Sequence, residues 1–192
     1  IFGCNAHCPM CPIDEPTKRR KGLMPMELFR KIIDSLVPYR DRIEMMDFYC
    51  LGEPLLDPHI AERVAYAKAQ GFRNLGISTN VDLLTMEKAR AILKSGIDTI
   101  ILSIDGVKKE THESIRPGVI FERLVQNAEE AIKIRNEGNF KAKFVVRFIR
   151  QDKNRSEWED YKNFWNTKIS RERGDFVTAY DVHSSAESGL TK

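Results

Sequence analysis

Apolar residues fall into short, nearly continuous runs, separated by stretches in which they recur every three or four positions, and the two patterns alternate along the chain. Ile1 to Gly3 read as the end of a strand. Pro25 opens a helix with Leu28, Phe29, Ile32, Ile33 and Leu36 on one face, and a buried strand runs from Ile43 to Cys50. A helix from about Pro58 to Gln70 stops at Gly71 before a strand from Arg73 to Thr79. Another from Thr85 to Ser95 stops at Gly96 before a strand from Thr99 to Ile104. A longer helix from Phe121 to Glu137 ends at Gly138, and a strand from Ala142 to Ile149 follows. A helix carrying Trp158, Tyr161 and Trp165 and a strand near Phe176 to Val182 complete a pattern of six strands and five helices.

Strands joined by crossover helices run parallel, and a parallel sheet buries both faces, which accounts for the unbroken apolar runs. The fold class is therefore α/β. An open doubly wound sheet and a barrel both fit the alternation. Six units in 192 residues fall short of the roughly 250 of a complete eight-fold barrel, so the expectation is a partial (β/α)6 barrel forming one domain over residues 1–192. No internal repeat, low-complexity tract or linker interrupts it.

Composition changes this picture little. With 42% hydrophobic residues the chain has enough material for an ordinary core. Its 31 basic and 28 acidic residues leave a net charge of +3, which gives no nucleic-acid signal and calls for no anionic membrane. No apolar run approaches the roughly 20 residues that span a bilayer, and the expected location is the cytoplasm. The chain starts without Met and inside a strand, so the start of the domain is expected to lie upstream. The basic run Lys18, Arg19, Arg20 and Lys21 is expected to be a solvated loop.

Candidate chemistry collects at the carboxyl ends of the strands, where parallel α/β folds gather ligands. The first strand is followed by Cys4-Asn5-Ala6-His7-Cys8-Pro9-Met10-Cys11, the second by Gly52-Glu53-Pro54. The third ends in Ser78-Thr79-Asn80 and the fourth in Ser103-Ile104-Asp105-Gly106. Any one of these segments could be an ordinary loop. Polar residues and glycine at four successive strand ends agree with one another, and that agreement marks a site.

Three of the four cysteines sit within eight residues, too close together to staple a domain, so they point to metal or redox chemistry. Thiolates are soft ligands for zinc, copper(I) or iron–sulfur clusters, and Pro9 and Pro12 keep the loop out of a regular helix. A structural zinc site needs four closed ligands, and no second Cys or His pair is present. A four-iron cluster on three cysteines leaves one iron open to a cofactor or substrate.

The C-x3-C-x2-C spacing, with the rim residues above, resembles the radical S-adenosylmethionine (SAM) superfamily over essentially the whole chain. The resemblance implies that Cys4, Cys8 and Cys11 ligate a [4Fe-4S] cluster whose open iron is chelated by the amino and carboxylate groups of SAM. It implies that Gly52 and Glu53 meet the SAM amino group, and that Ser78, Asn80, Ser103 and Asp105 meet its ribose and carboxylate. Arg116 would add a charge-assisted contact to the carboxylate, and Met10 would lie near the adenine. Met10 stands where many members carry an aromatic residue, Leu51 where many have glycine, and Val81 where glycine is frequent.

The implied activity is reductive cleavage of SAM to a 5′-deoxyadenosyl radical that abstracts hydrogen from a peptide, sugar or nucleotide. Partners would be an external one-electron reductant such as flavodoxin or ferredoxin and a substrate the sequence does not identify. Gly-Glu-Pro-Leu-Leu and Ser-Ile-Asp-Gly resemble the branch with C-terminal SPASM-type auxiliary-cluster domains. No cysteine follows Cys50 here, so the chain is expected to be a fragment or a member lacking those clusters. Two other readings stay open: a structural zinc module, and an electron-transfer protein with a fully ligated cluster.

The remaining candidates have quieter expectations. Cys50 reads as a buried small hydrophobe that its position just before Gly52 puts near the rim, His7 as a loop residue near solvent, and His59 and His112 as helix-start residues. Arg147, Gln151, Asn154, Asp181 and His183 occupy rim positions where substrate or SAM could be held. Trp158 and Trp165, with Tyr161 and Phe164 between them, read as packing against the sheet.

Overall fold

The computed structural model describes residues 2–14 and 22–182. The apolar runs become five parallel strands, β1 (Met46–Asp47), β2 (Leu75–Thr79), β3 (Thr99–Ser103), β4 (Lys143–Arg150) and β5 (Phe176–Asp181), in the spatial order 1-2-3-4-5. Sequential order with every pair parallel is what right-handed crossovers produce as a sheet curls toward a barrel. The chain has the α/β partial-barrel fold. Its helices are α1 (Met26–Leu36), α2 (Ile60–Ala69), α3 (Met86–Lys94), α4 (Lys109–Ile115), α5 (Phe121–Glu137) and α6 (Trp158–Asn166).

Three expectations need correction. The expected first strand is absent from the sheet: Phe2 makes one antiparallel bridge to Gly22, and the Gly3 carbonyl accepts from Glu53 N at 2.8 Å. The sheet among the described residues therefore has five strands and not six. The run from Ile43 to Cys50 forms strand only at Met46–Asp47, because the chain bends away after Phe48 N bonds Gly76 O at 2.9 Å. Finally, α4 escaped the pattern analysis because its seven residues bury only His112 and Ile115, too few to show a helical stripe. The basic run Lys18 to Lys21, like Ile1 and His183, lies outside the described residues.

The helix stops were legible. Thr85 caps α3 by accepting from Lys88 N, and Gly96 closes it with φ 84, a left-handed conformation that an L side chain adopts at a cost. Beyond α5, Asn139 takes the left-handed turn with φ 49. On the outer face of the sheet Ile77, Ile100, Leu102, Phe144, Val146 and Phe148 are fully buried among the helices. Beneath α5 an ion pair of Arg135 with Asp175 is completely buried, its carboxylate also accepting from Phe144 N and Ser170 N. The inner face is more polar, with Gly76 and Ser78 on β2, Thr99, Ile101 and Ser103 on β3, and Lys143, Val145 and Arg147 on β4. This face stays open to a ligand. Among the described residues no helix is long and apolar enough to cross a membrane.

Candidate active site

The cysteine loop has almost no regular structure of its own, only a 3-10 turn at Pro12–Asp14, so its shape is imposed by neighbours. Ala6 and Ile13 anchor it by burial. Cys11 N bonds Cys8 O at 2.9 Å, closing the loop between the second and third thiols, and His7 N bonds Pro117 O at 2.8 Å. The Asn5 side chain donates to Asp82 Oδ2 at 2.9 Å and accepts from Asn80 Nδ2 at 2.9 Å. Asp82 is itself fixed by Arg123 through two bonds of 2.8 and 2.7 Å and by Ile120 N. Gly118, at φ 94, lets the chain pass so close that a Cβ there would meet the Asn5 carbonyl oxygen at 2.5 Å. The ends of β2 and the segment before α5 thus hold the cysteine loop in place.

Cys4, Cys8 and Cys11 line one cavity of about 220 Å³ together with Met10, Gly52, Glu53, Ser78, Asn80, Ser103 and Arg116, joined by Ala6, Tyr49, Cys50, Thr79 and Arg147. Ten of the eleven residues expected at the site converge there. Asp105 is the exception. It is fully buried behind the wall, its Oδ2 accepting from Arg116 Nε at 2.7 Å and its Oδ1 from Ile149 N at 2.7 Å. Arg116 spans the two layers, with NH1 4.0 Å from Cys8 Sγ.

Glu53 is 2% exposed and its carboxylate is a bridge: Oε1 accepts from Leu55 N and Thr79 Oγ1, Oε2 from Asn80 N. Burial pushes this carboxyl above its ordinary range, and those hydrogen bonds draw it back. The loop after β1 is thereby latched to the end of β2. On the opposite wall Arg147 donates from one nitrogen to Ser78 Oγ at 2.6 Å and Ser103 Oγ at 2.8 Å.

Burial raises the Cys4 thiol and lifts Cys8 to about 11, an effect that Arg116 partly offsets for Cys8. Left alone these thiols stay protonated, and a bound metal centre supplies the charge that displaces their protons. Among the described residues no three Cys, His, Asp or Glu side chains converge tightly enough to hold a single metal ion. The three thiols all line the cavity. Three soft ligands around a roomy pocket fit a multinuclear cluster better than a closed zinc site.

Several expectations are revised here. Cys50 is exposed, not buried, because β1 ends before it and the bend carries it to the cavity rim. His7 is exposed on the loop, as expected, and bonds Asp14 at 2.9 Å. His59 does precede α2, but His112 lies within α4, fully buried, with Nδ1 accepting from Asp105 N at 3.1 Å and Nε2 without a partner. Asn154 is buried and braces the Asp105 and Ile149 carbonyls, while Asp181 pairs with Arg150 near the surface. Gln151 lies 3.9 Å from Met10 Sδ. Trp165 and Tyr161 are core, as expected.

Burial, reinforced by Arg116, lowers the His112 pKa from 6.5 to about 3. Its unfolded-state value is the higher one, so the folded state is undisturbed above pH 6.5 and loses stability as pH falls from there toward 3. The expected loss is at most about 1.4 kcal/mol per pH unit over that window. Urea midpoints measured across it should fall less steeply for His112→Gln; parallel slopes for parent and variant would refute the assignment.

Comparison with known proteins identifies the family. Residues 1–149 match the family model described as the radical SAM superfamily. The chain belongs to that superfamily. Radical SAM proteins are enzymes that use a [4Fe-4S] cluster and SAM. A tungsten-containing aldehyde ferredoxin oxidoreductase cofactor-modifying protein of Pyrococcus furiosus is 35% identical over 102 residues, 53% of this chain and 28% of that protein. An AdoMet-dependent heme synthase of Methanosarcina barkeri is 30% identical over 129 residues, 66% of this chain and 36% of that protein. The chain thus spans about a third of the length of these curated relatives. The solved structure of anSMEcpe with bound AdoMet and a Kp18Cys peptide covers 95% of this chain and 49% of its own, with a TM-score of 0.69 at 18% identity, a likeness of fold.

Sequence reasoning passed over Tyr49, quoted Thr79 in the strand-end run without a role, and gave Arg147 only a general rim role. The signal for Arg147 was present: a long cation in the middle of an apolar strand has to point into a cavity or find a partner.

Proposed function

We propose that residues 1–192 act as the core domain of an enzyme that cleaves SAM reductively and uses the product on an organic substrate. The observation that carries this reading is the convergence of three thiols from one loop with Glu53, Ser78, Asn80 and Ser103 on one cavity at the carboxyl ends of the strands. When bound, the cluster and SAM supply one-electron cleavage to methionine and a 5′-deoxyadenosyl radical that takes a hydrogen atom from the substrate.

The chain's own residues have definite parts. Cys4, Cys8 and Cys11 would hold the cluster, and Arg116 would place positive charge beside Cys8 and, with Ser103, near the SAM carboxylate. Gly52, free of a side chain and at φ 110, lets backbone approach the SAM amino group, and Glu53 fixes that backbone by its bonds to Leu55 and Asn80. Met10 would cover the adenine. Asp105 would act through Arg116 and not by touching SAM. The buried wall residues would limit the access of water to the bound cofactors.

The partners we propose are a flavodoxin- or ferredoxin-like reductant and, given the peptide bound in the structure of anSMEcpe, a peptide among the candidate substrates beside sugars and nucleotides. We place the activity in the cytoplasm. The test is anaerobic iron–sulfur reconstitution of the chain, followed by incubation with dithionite and SAM while 5′-deoxyadenosine is followed by chromatography. Appearance of 5′-deoxyadenosine is expected. A chain that takes up iron and yields none, or that retains only zinc, rules the reading out.

A further inference from the structure

Arg147 is a half-buried cation with no carboxylate paired to it among the described residues; Asp47 reaches it only through the Tyr49 hydroxyl. It sits within β4 on the inner face, and two bonds from one of its nitrogens go to neutral serine hydroxyls. Its Nε is buried and meets no acceptor. Every other arginine that comes close to the site has a carboxylate: Arg116 has Asp105, and Arg123 has Asp82. A guanidinium removed from bulk water with donors unfilled is costly unless an oxyanion completes it, and its planar fork suits a carboxylate or phosphate.

Its place among the cavities says where that oxyanion comes from. Arg147 lines the cysteine cavity, but it also lines an adjoining cavity of about 570 Å³ across the open inner face and a third of about 410 Å³ beside Met10 and Tyr180. It is the one residue common to all three. Arg116 is the arginine set against the cysteines, whereas Arg147 stands where the cysteine cavity opens onto the inner face. Ser78 and Ser103, 3.1 Å apart, hold the guanidinium at that border. Tyr49 lines the cysteine cavity and the 570 Å³ cavity with it, its hydroxyl between Arg147 and Asp47, and the 570 Å³ cavity also carries Glu44 and Lys143.

We propose that Arg147, propped by Ser78 and Ser103, is a binding residue for an oxyanion, carboxylate or phosphate, carried by the substrate that enters from the open inner face. The placement of that substrate beside SAM rests on the function proposed above; the oxyanion site itself does not. An anion seated at Arg147 fixes one end of the substrate at the mouth of the cysteine cavity, so that the bond to be attacked is presented to it.

The test uses the reconstituted chain with two probes, succinate and inorganic phosphate. The arginine Nε–H signals are followed by nuclear magnetic resonance, and the Arg147 signal is assigned by its absence in Arg147→Gln. Saturable movement of that signal is expected, with anion affinity at least about tenfold weaker in Arg147→Gln and partly restored in Arg147→Lys. The better probe distinguishes a carboxylate from a phosphate ligand. Succinate or phosphate affinity, read from the same signal with saturating SAM present, should stay within about threefold of its value without SAM. An Arg147 signal indifferent to both anions overturns the proposal, and displacement of the anion by SAM overturns it in favour of the SAM carboxylate. Thermal melts by circular dichroism establish that the variants are folded, and Arg147→Lys serves if Arg147→Gln is not. Failure of SAM cleavage would count against the proposed function alone, because the anion titration is read on the arginine itself.

Discussion

Cys8→Ala is expected to leave a folded chain that takes up no stable cluster and forms 5′-deoxyadenosine only at background, and Cys4→Ala or Cys11→Ala should do the same. The three thiols proposed as ligands come from one loop, so losing one leaves two, too few to retain a four-iron cluster. The loss should exceed the roughly 10- to 100-fold that changes to groups behind metal ligands produce. Stability should change little. The thiols are half-buried and only border the core, and removing one sulfur costs on the order of 1 kcal/mol. Iron content, visible absorbance and a thermal melt on each variant check the prediction. Cys50→Ala separates two chemistries. Cys50 lines the same cavity but belongs to another segment, so its replacement should leave the iron in place. Loss of iron there would mean a fourth cysteine ligand, no open iron, and an electron-transfer protein.

What the sequence revealed and what it hid follow from the range of the interactions involved. The apolar runs of β2, β3 and β4 were readable because their outer face is fully buried under the helices, and the inner face interrupts them at only a few positions such as Ser78, Thr99 and Arg147. The helices with wide apolar stripes were readable for the same reason, whereas α4 was not, since its burial is carried by a histidine and one isoleucine. The segment before Cys4 looked like a strand, but whether an extended segment joins a sheet depends on the neighbour it meets. Here it meets the loop at Glu53 through a single bond from Glu53 N to Gly3 O.

The cavity residues were legible by type and by place at strand ends. Their division of labour was not. Asp105 and Arg116 are eleven positions apart and both polar, and nothing in their spacing says that one neutralises the other instead of facing a ligand. Asn5 reaches Asp82 across 77 residues, and Arg147 reaches Ser78 across 69. Such pairings are set by the curl of the sheet, which brings successive strand ends around one axis, and a linear pattern does not encode them.

The largest stability effect near the site should come from Asp105→Ala. The carboxylate is 0% exposed and the Arg116 side chain 11%, so the pair is cut off from water on both sides. Removing it leaves Arg116 charged and buried without compensation, and deprives Ile149 N of the acceptor it meets at 2.7 Å. Breaking a buried pair in this way costs about 3–5 kcal/mol. The cause is the stranded charge more than the lost bond, so Asp105→Leu combined with Arg116→Met should cost clearly less than the sum of the two single changes. Chemical unfolding of the chain before any cluster or SAM is added checks both statements. The timing matters, because a residue that served mainly to touch SAM would cost binding and leave the ligand-free chain as stable as before. Asp105→Ala with undiminished stability in that state would return Asp105 to direct contact with SAM and leave Arg116 to be held by Cys8 and the rest of the cavity wall.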